Sequence, residues 1–224
     1  MSKISDPKLN WRYGNIPASS RFDDPYYSLE GGLTESQHVF LSGAGLPDNW
    51  LGKRCYTIAE LGFGTGLNFL ITWKAWRDSG QAGHLHFVSI EGYPMDNNAL
   101  HRAHKAFPEI DHFSQRLRDV MPDRRAGYHL RCFDQGHVSL LLVYGDVAAV
   151  LHSMHLKADA WFLDGFAPSK NPEMWTEELL CGVASLAKPG ARIATYTAAG
   201  SVRRGLESAG FEVIKRPGFG AKRE

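Results

Sequence analysis

Seven stretches of the chain are apolar or alternate apolar with polar positions over five to seven residues, and each stops at a turn or an acid: 55–61, 85–91, 128–133, 138–144, 159–163, 191–196 and 211–216. Their length and β-branched content predict strands. Between them a helical period predicts helices near 66–78, 95–106, 109–119, 146–153, 173–187 and 200–209. Strands separated by helices of this length imply right-handed crossovers and a parallel sheet covered on both faces. The fold class is therefore α/β, doubly wound, with a mostly parallel sheet. Asp134-Gln135-Gly136-His137, between two alternating runs, is expected to be a hairpin turn placed before the third parallel strand.

Residues 1–54 break that rhythm. Gly14, Pro17, Pro25, Gly31-Gly32, Gly43, Gly45 and Pro47 punctuate them, with one short helix expected from Thr34 to Leu41 and Thr34 as its N-cap. They read as an N-terminal elaboration packed on a core of 55–224. At the other end Pro217-Gly218-Phe219-Gly220 forms a turn, and the sequence stops four residues later. Either the core is truncated in its last, antiparallel strand or the fold never had it.

Composition narrows the class. A chain of 224 residues with 43% hydrophobic and 22% charged residues can bury one substantial core, and no repeat or biased segment is present. The net charge of +1 gives no global basic field, but from Lys188 onward eight basic residues face three acids. That imbalance is read either as a polyanion-facing surface or as a solvated charged face. Cys55, Cys132 and Cys181 contain no C-x-x-C pair and read as buried thiols in a reducing compartment. The first ten residues lack an apolar signal, and the longest apolar run, Val138 to Tyr144, is too short to cross a bilayer, so no membrane and a cytoplasmic location are expected.

Chemistry concentrates after the first predicted core strand. Glu60 closes it, and Gly62, Gly64 and Gly66 follow at alternate positions before a helix starts at Leu67. Such glycines let the chain turn with positive φ and let a ligand lie on bare backbone at a helix N-terminus. A dinucleotide loop needs a third glycine at position 67, where this chain has Leu67, so E-x-G-x-G-x-G suits S-adenosylmethionine better than NAD.

Ligands of open α/β sheets bind at the carboxyl ends of the strands. Acids stand there repeatedly: Glu60, Glu91, Asp146 and Asp164. Glu91 suits a pair of ribose hydroxyls, which one carboxylate can accept with both oxygens, and Asp146 suits an adenine amino group. Asp164 opens DGFAPSKNPEMW, a loop of acid, aromatics and prolines. A protonated alkylamine cannot attack an electrophile until its lone pair is free, so a carboxylate there would orient it and take its proton. Phe166, Trp161 or Trp175 would supply aromatic walls that exclude water and tolerate a sulfonium. Two weaker signals remain. His101-x-x-His104 and His152-x-x-His155 have helical spacing without a third ligand and read as exposed histidines, so no metal is expected; Ser201-Val202-Arg203-Arg204 opens a helix and could touch phosphate.

Together ELGFGTGLNFL at 60–70, FLDGFAPSKNPEMW at 162–175, TAAGSVRRGLESAGF at 197–211, RPGFGAKRE at 216–224 and FDDPYYS at 22–28 resemble the N-terminal methyltransferase domain of the bifunctional MnmC enzymes. The resemblance implies a class I, Rossmann-like methyltransferase that uses S-adenosylmethionine to methylate the aminomethyl group of 5-aminomethyl-2-thiouridine at the tRNA wobble position. It implies cofactor contacts from the glycine loop, Glu91 and Asp146, with Asp164 near the methyl and the amine. Ser42-Gly43-Ala44 stands where that family commonly has Gly-Gly-Asn, which takes away an N-terminal polar contact to the cofactor. The FAD-dependent oxidase half of the family is absent from this chain, so only the methyl step is expected of it.

The resulting site set has Asp164 as catalytic residue. Cofactor binding falls to Glu60, Gly62, Phe63, Gly64, Gly66, Asn68, Glu91, Asp146 and Asp164, and substrate binding to Phe166, Lys170, Arg203 and Arg204. The partner is tRNA in its anticodon region. A small-molecule amine or protein N-methyltransferase, or a cofactor-binding adapter of a tRNA-modification complex, are the rival readings.

Overall fold

The structure is a computed structural model that describes residues 4–28 and 31–220. Its N-terminal part is a small antiparallel sheet of β1 (Leu9–Arg12), β2 (Ile16–Ser19) and β3 (Asp24–Pro25), followed by α1 (Gly32–Ser36), which widens into a π-helical turn over Gln37–Ser42. This helix is capped by Gly31 in the left-handed region, not by Thr34, which lies inside the first turn.

The core follows in the order β4 (Cys55–Leu61), α2 (Leu67–Asp78), β5 (His84–Glu91), α3 (Asn97–His104), α4 (Asp111–Arg118), β6 (Gly127–Phe133), β7 (Val138–Tyr144), α5 (Val147–Ser153), β8 (Ala158–Leu163), α6 (Glu177–Leu186), β9 (Ala187–Thr195) and α7 (Gly200–Ser208). The six strands lie in the order β6-β7-β5-β4-β8-β9, parallel throughout except for β6, which runs antiparallel to β7. The expected hairpin is therefore present, turning at Asp134–Gly136. The order in which strands are added switches sides at β4, with β5 and β7 to one side and β8 and β9 to the other, and that switch opens the crevice in which such folds bind ligands.

Two apolar layers cover the sheet. On one face Ile58, Phe87, Leu140 and Phe162 meet Phe69, Trp73 and Trp76 of α2, together with Phe40 from the N-terminal part. On the other, Leu61, Ile90, Val143 and Trp161 meet α5, α6 and α7 through Leu151, Leu179, Val183 and Val202. Helix α2 buries eight of its 12 residues because the N-terminal elements close over its outer side. Burial of side chains of this size stabilises by roughly 2 kcal/mol each before the entropy of ordering the chain is subtracted.

Several local expectations are corrected. Residues 211–216 form no strand: Phe211 and Val213 keep the predicted alternation by packing on the second layer, but among the described residues no strand pairs with their backbone. Cys55, Cys132 and Cys181 are exposed free thiols: Cys55 stands at the start of β4, beyond the covered part of the sheet, and Cys132 and Cys181 fall on the solvent side of β6 and α6. His104 is buried, with Nε2 2.8 Å from the Thr65 carbonyl and Nδ1 3.0 Å from Arg118 Nη1. Nε2 therefore donates and Nδ1 accepts from the guanidinium, and burial pulls the ring down to about 4, so it stays neutral and braces the loop before α2. His101, His152 and His155 are exposed, and the described residues contain no cluster able to hold a metal. None of the described helices is long and apolar enough to cross a membrane.

Candidate active site

The turn after β4 is built by backbone geometry. Gly62, Gly64 and Gly66 have φ of +86°, +55° and +75°, a region that costs an L side chain roughly 1–2 kcal/mol at each position. Space is as restrictive: a Cβ on Gly66 would come 2.7 Å from the Phe63 ring, and one on Gly64 would come 3.1 Å from Tyr26. The turn is tied to the sheet by the Gly62 N–H donating to the Ile90 carbonyl at 2.9 Å.

Glu91 holds the same turn from the next strand. Its Oε2 accepts the Gly64 N–H at 2.8 Å and its Oε1 accepts the Tyr93 N–H at 2.6 Å. Burial pushes its carboxyl up, and these donors pull it partly back. Deeper still, Glu60 is 1% exposed and accepts from Asn68 Nδ2 at 3.0 Å and from Ser89 Oγ at 2.6 Å, while burial holds it well above the carboxylate range.

Asn68, in the first turn of α2, joins two acids. Its Nδ2 also donates to Asp164 Oδ2 at 2.8 Å, so one amide bridges Glu60 and the residue that ends β8. Asp164 Oδ1 accepts the N–H of Gly165 at 2.8 Å. Burial pushes Asp164 up to about 7 against these two donors, and the charges of Glu35 and Glu91 add to the rise. Asp164 is half-buried and can exchange protons with whatever fills the space in front of it.

That space is a cavity of about 550 Å³ at the carboxyl ends of the strands. Gly62, Phe63, Gly64, Asn68, Glu91, Asp146, Asp164 and Phe166 of the predicted set all line it. Glu60 and Gly66 do not: Glu60 supports Asn68 from beneath, and Gly66 makes the left-handed turn into α2, packed against Phe63. Asp146 caps α5, accepting the Ala149 N–H at 3.0 Å, and borders the cavity as well, so the cap and the lining are one residue.

Three predicted substrate contacts lie elsewhere. Lys170 pairs with Asp24 at 3.2 Å and donates to the Asp23 carbonyl, so it latches the N-terminal sheet onto the 165–171 loop. Arg203 and Arg204 are exposed in the first turns of α7 and do not line the cavity; Arg203 Nε lies 3.8 Å from Glu207 on its own helix. Of the proposed aromatic walls only Phe166 lines the cavity. Trp161 is fully buried in the second layer, and Trp175 lies behind, donating its Nε1–H to the Phe166 carbonyl at 3.0 Å.

Sequence reasoning missed the wall contributed from the N-terminus. Phe22 stacks on Phe166 with centroids 4.7 Å apart, Tyr26 meets Phe166 edge-on at 5.0 Å, and Tyr93 meets Phe22 at 5.9 Å. Phe22, Tyr26 and Tyr93 all line the cavity. FDDPYYS, noticed only as part of a resemblance, was the available signal; its contact with residue 166 is not local. Ser42 and Gly43 stay outside the lining, whereas Ser36 is part of it.

One atom remains unpartnered in this setting: Asn68 Oδ1 is buried, and no donor reaches it among the described residues. A buried acceptor beside a cavity calls for a ligand N–H. The glycine turn, the carboxyls of Glu91, Asp146 and Asp164 on the cavity wall and this buried acceptor fit a sulfonium nucleoside that carries an amino-acid arm.

A mostly parallel sheet whose strand order switches at its central strand, with that turn and those acids at its carboxyl edge, defines a nucleoside-dependent group-transfer fold of the Rossmann-like class. Residues 108–224 match a family model described as S-adenosyl-L-methionine-dependent methyltransferase, and the chain belongs to that family. It is 50% identical over 208 residues to the tRNA 5-methylaminomethyl-2-thiouridine biosynthesis bifunctional protein MnmC of Cupriavidus necator, covering 92% of this chain and 32% of that protein. It is 46% identical over 222 residues to the protein of the same name from Magnetococcus marinus, covering 99% of this chain and 33% of that one. The chain thus spans about a third of the length of these curated relatives. In fold it is similar to the crystal structure of MNMC2 from Aquifex aeolicus, with a TM-score of 0.77, 24% identity, and 93% of this chain and 64% of that one covered.

Proposed function

We propose that this chain transfers a methyl group from S-adenosylmethionine to the 5-aminomethyl group of 5-aminomethyl-2-thiouridine at the wobble position of tRNA, in the cytoplasm. The observation that carries the reading is Asp164, an acid pushed up to about 7 and anchored beside the glycine turn, where it can take a proton from an ammonium at physiological pH. The names of the two relatives support the choice of acceptor.

When bound, S-adenosylmethionine supplies a methyl on a cationic sulfur that leaves with the bonding pair. Gly62 and Gly64 would provide a backbone floor, with Gly66 making the turn into α2; Glu91 would accept from ribose hydroxyls, Asp146 from the adenine amino group, and Asn68 Oδ1 from the ammonium of the amino-acid end. Asp164 accepts the proton of the substrate ammonium and holds the freed nitrogen in line with the methyl. Phe166, Phe22 and Tyr26 exclude water from that line and surround the cation with ring faces.

Methyl transfer measured on bulk tRNA from cells that lack the wobble modification tests the reading. Incorporation confined to tRNA, released as methylaminomethyl-thiouridine on digestion, is the expected result. Methylation of free amines or proteins instead would favour the rival enzyme class, and tight cofactor binding without transfer would leave an adapter.

A further inference from the structure

We propose that Arg21 is a phosphate-binding residue for the methyl-acceptor polynucleotide, held at the outer rim of the cavity. The inference rests on the proposed function and adds to it a contact outside the reacting centre.

The guanidinium of Arg21 sits in a corner of two aromatic rings, 5.4 Å from the centroid of Phe22 and 5.0 Å from that of Tyr93. Both rings line the cavity, while Arg21 itself is exposed beside it. Contact with ring faces fixes the position of a guanidinium without using its N–H donors, so it is presented pre-organised for a planar, two-pronged acceptor.

Its neighbours in the chain explain why it stays free. Asp23 is paired with Arg12 at 2.5 Å. Asp24 is paired with Lys170 at 3.2 Å and also accepts the Ala167 N–H at 2.9 Å. Both nearby carboxylates are thus neutralised by other cations, and among the described residues neither a carboxylate nor a carbonyl takes the N–H groups of Arg21. A cation with five unused donors on the lip of an acid-lined cavity selects an anion that stays outside while a cationic group goes in.

A nucleotide bearing an aminomethyl base has that polarity: its amine enters toward Asp164, and its phosphodiester remains at the rim. S-adenosylmethionine carries no phosphate, so a phosphate at Arg21 belongs to the methyl acceptor. This places the tRNA contact on the N-terminal part of the chain, beside the 165–171 loop that Phe22 packs against through Phe166 and that Lys170 secures.

The test compares the full chain with Arg21→Gln and Arg21→Lys, using tRNA that lacks the modification and reading KM, kcat, cofactor affinity and the salt dependence of tRNA binding. Arg21→Gln should raise KM for tRNA about tenfold and lower the slope of log affinity against log salt by about one, the signature of one lost phosphate contact. Cofactor affinity and kcat at saturating tRNA should hold, and Arg21→Lys should restore the slope and part of the KM. An unchanged salt slope in Arg21→Gln, or a loss of cofactor affinity equal to the rise in KM, would overturn the inference while leaving the proposed function intact. A wild-type chain that transfers no methyl to this tRNA would overturn both.

Discussion

Asp164→Asn should lower methyl transfer by at least about 100-fold while changing cofactor affinity by no more than a few-fold. The substitution keeps the size of the side chain, and its one amide oxygen can still receive the Asn68 amide while the contact to the Gly165 N–H is given up, so the cavity wall keeps its shape at the loss of one hydrogen bond. What it removes is the basic oxygen pair. In the native protein burial places Asp164 at about 7, above an ordinary carboxylate, so the group is protonated and inactive below that pH and ionised above it. Activity measured as kcat/KM should therefore fall as pH drops through about 7, and this acidic limb should be missing from the residual activity of Asp164→Asn. Equal losses of turnover and cofactor affinity would make Asp164 a cofactor ligand and remove its proposed role in proton transfer.

Glu91→Ala should weaken S-adenosylmethionine binding by about 100-fold, close to 3 kcal/mol, measured by titration calorimetry. Two effects add. The ligand loses the acceptor proposed for its ribose hydroxyls, and the main-chain N–H groups of Gly64 and Tyr93 lose the oxygens that fix the turn at 2.8 and 2.6 Å. Because φ at Gly64 lies at +55°, the loop has no side chain of its own to hold that shape. Turnover at saturating cofactor should fall much less, since Asp164 is anchored through Asn68 and Gly165 and not through Glu91. A variant that binds the cofactor as tightly as the native chain would show that the ribose lies elsewhere.

The sheet was legible because its strands end in ways that only a strand end explains. The apolar run 55–61 stops at an acid and a glycine, and runs 85–91 and 159–163 stop at Glu91 and before Asp164; all three strands meet at the carboxyl edge that forms the cavity. The same local logic misled at 211–216, where alternation reported burial of Phe211 and Val213 correctly but could not report whether a partner strand exists. Lys170 was read from its place in a chemically suggestive loop, yet its partner, Asp24, lies 146 residues away, and no local pattern announces an ion pair of that span. Phe22 and Tyr26 were missed for the same reason. Aromatics in a glycine- and proline-rich segment carry no period, and their meaning comes only from contact with Phe166. His104 shows the converse: its helical spacing from His101 was visible, but the Thr65 carbonyl and Arg118 that bury it come from separate elements.

A crystal structure of the full chain with S-adenosylhomocysteine bound measures the central claim directly. The account predicts the ribose hydroxyls within hydrogen-bond reach of Glu91, the amino-acid ammonium on Asn68 Oδ1, and the sulfur facing the side of the cavity where Asp164 and Phe166 stand. A ligand bound with its sulfur turned away from Asp164, or seated outside the glycine turn, would contradict it.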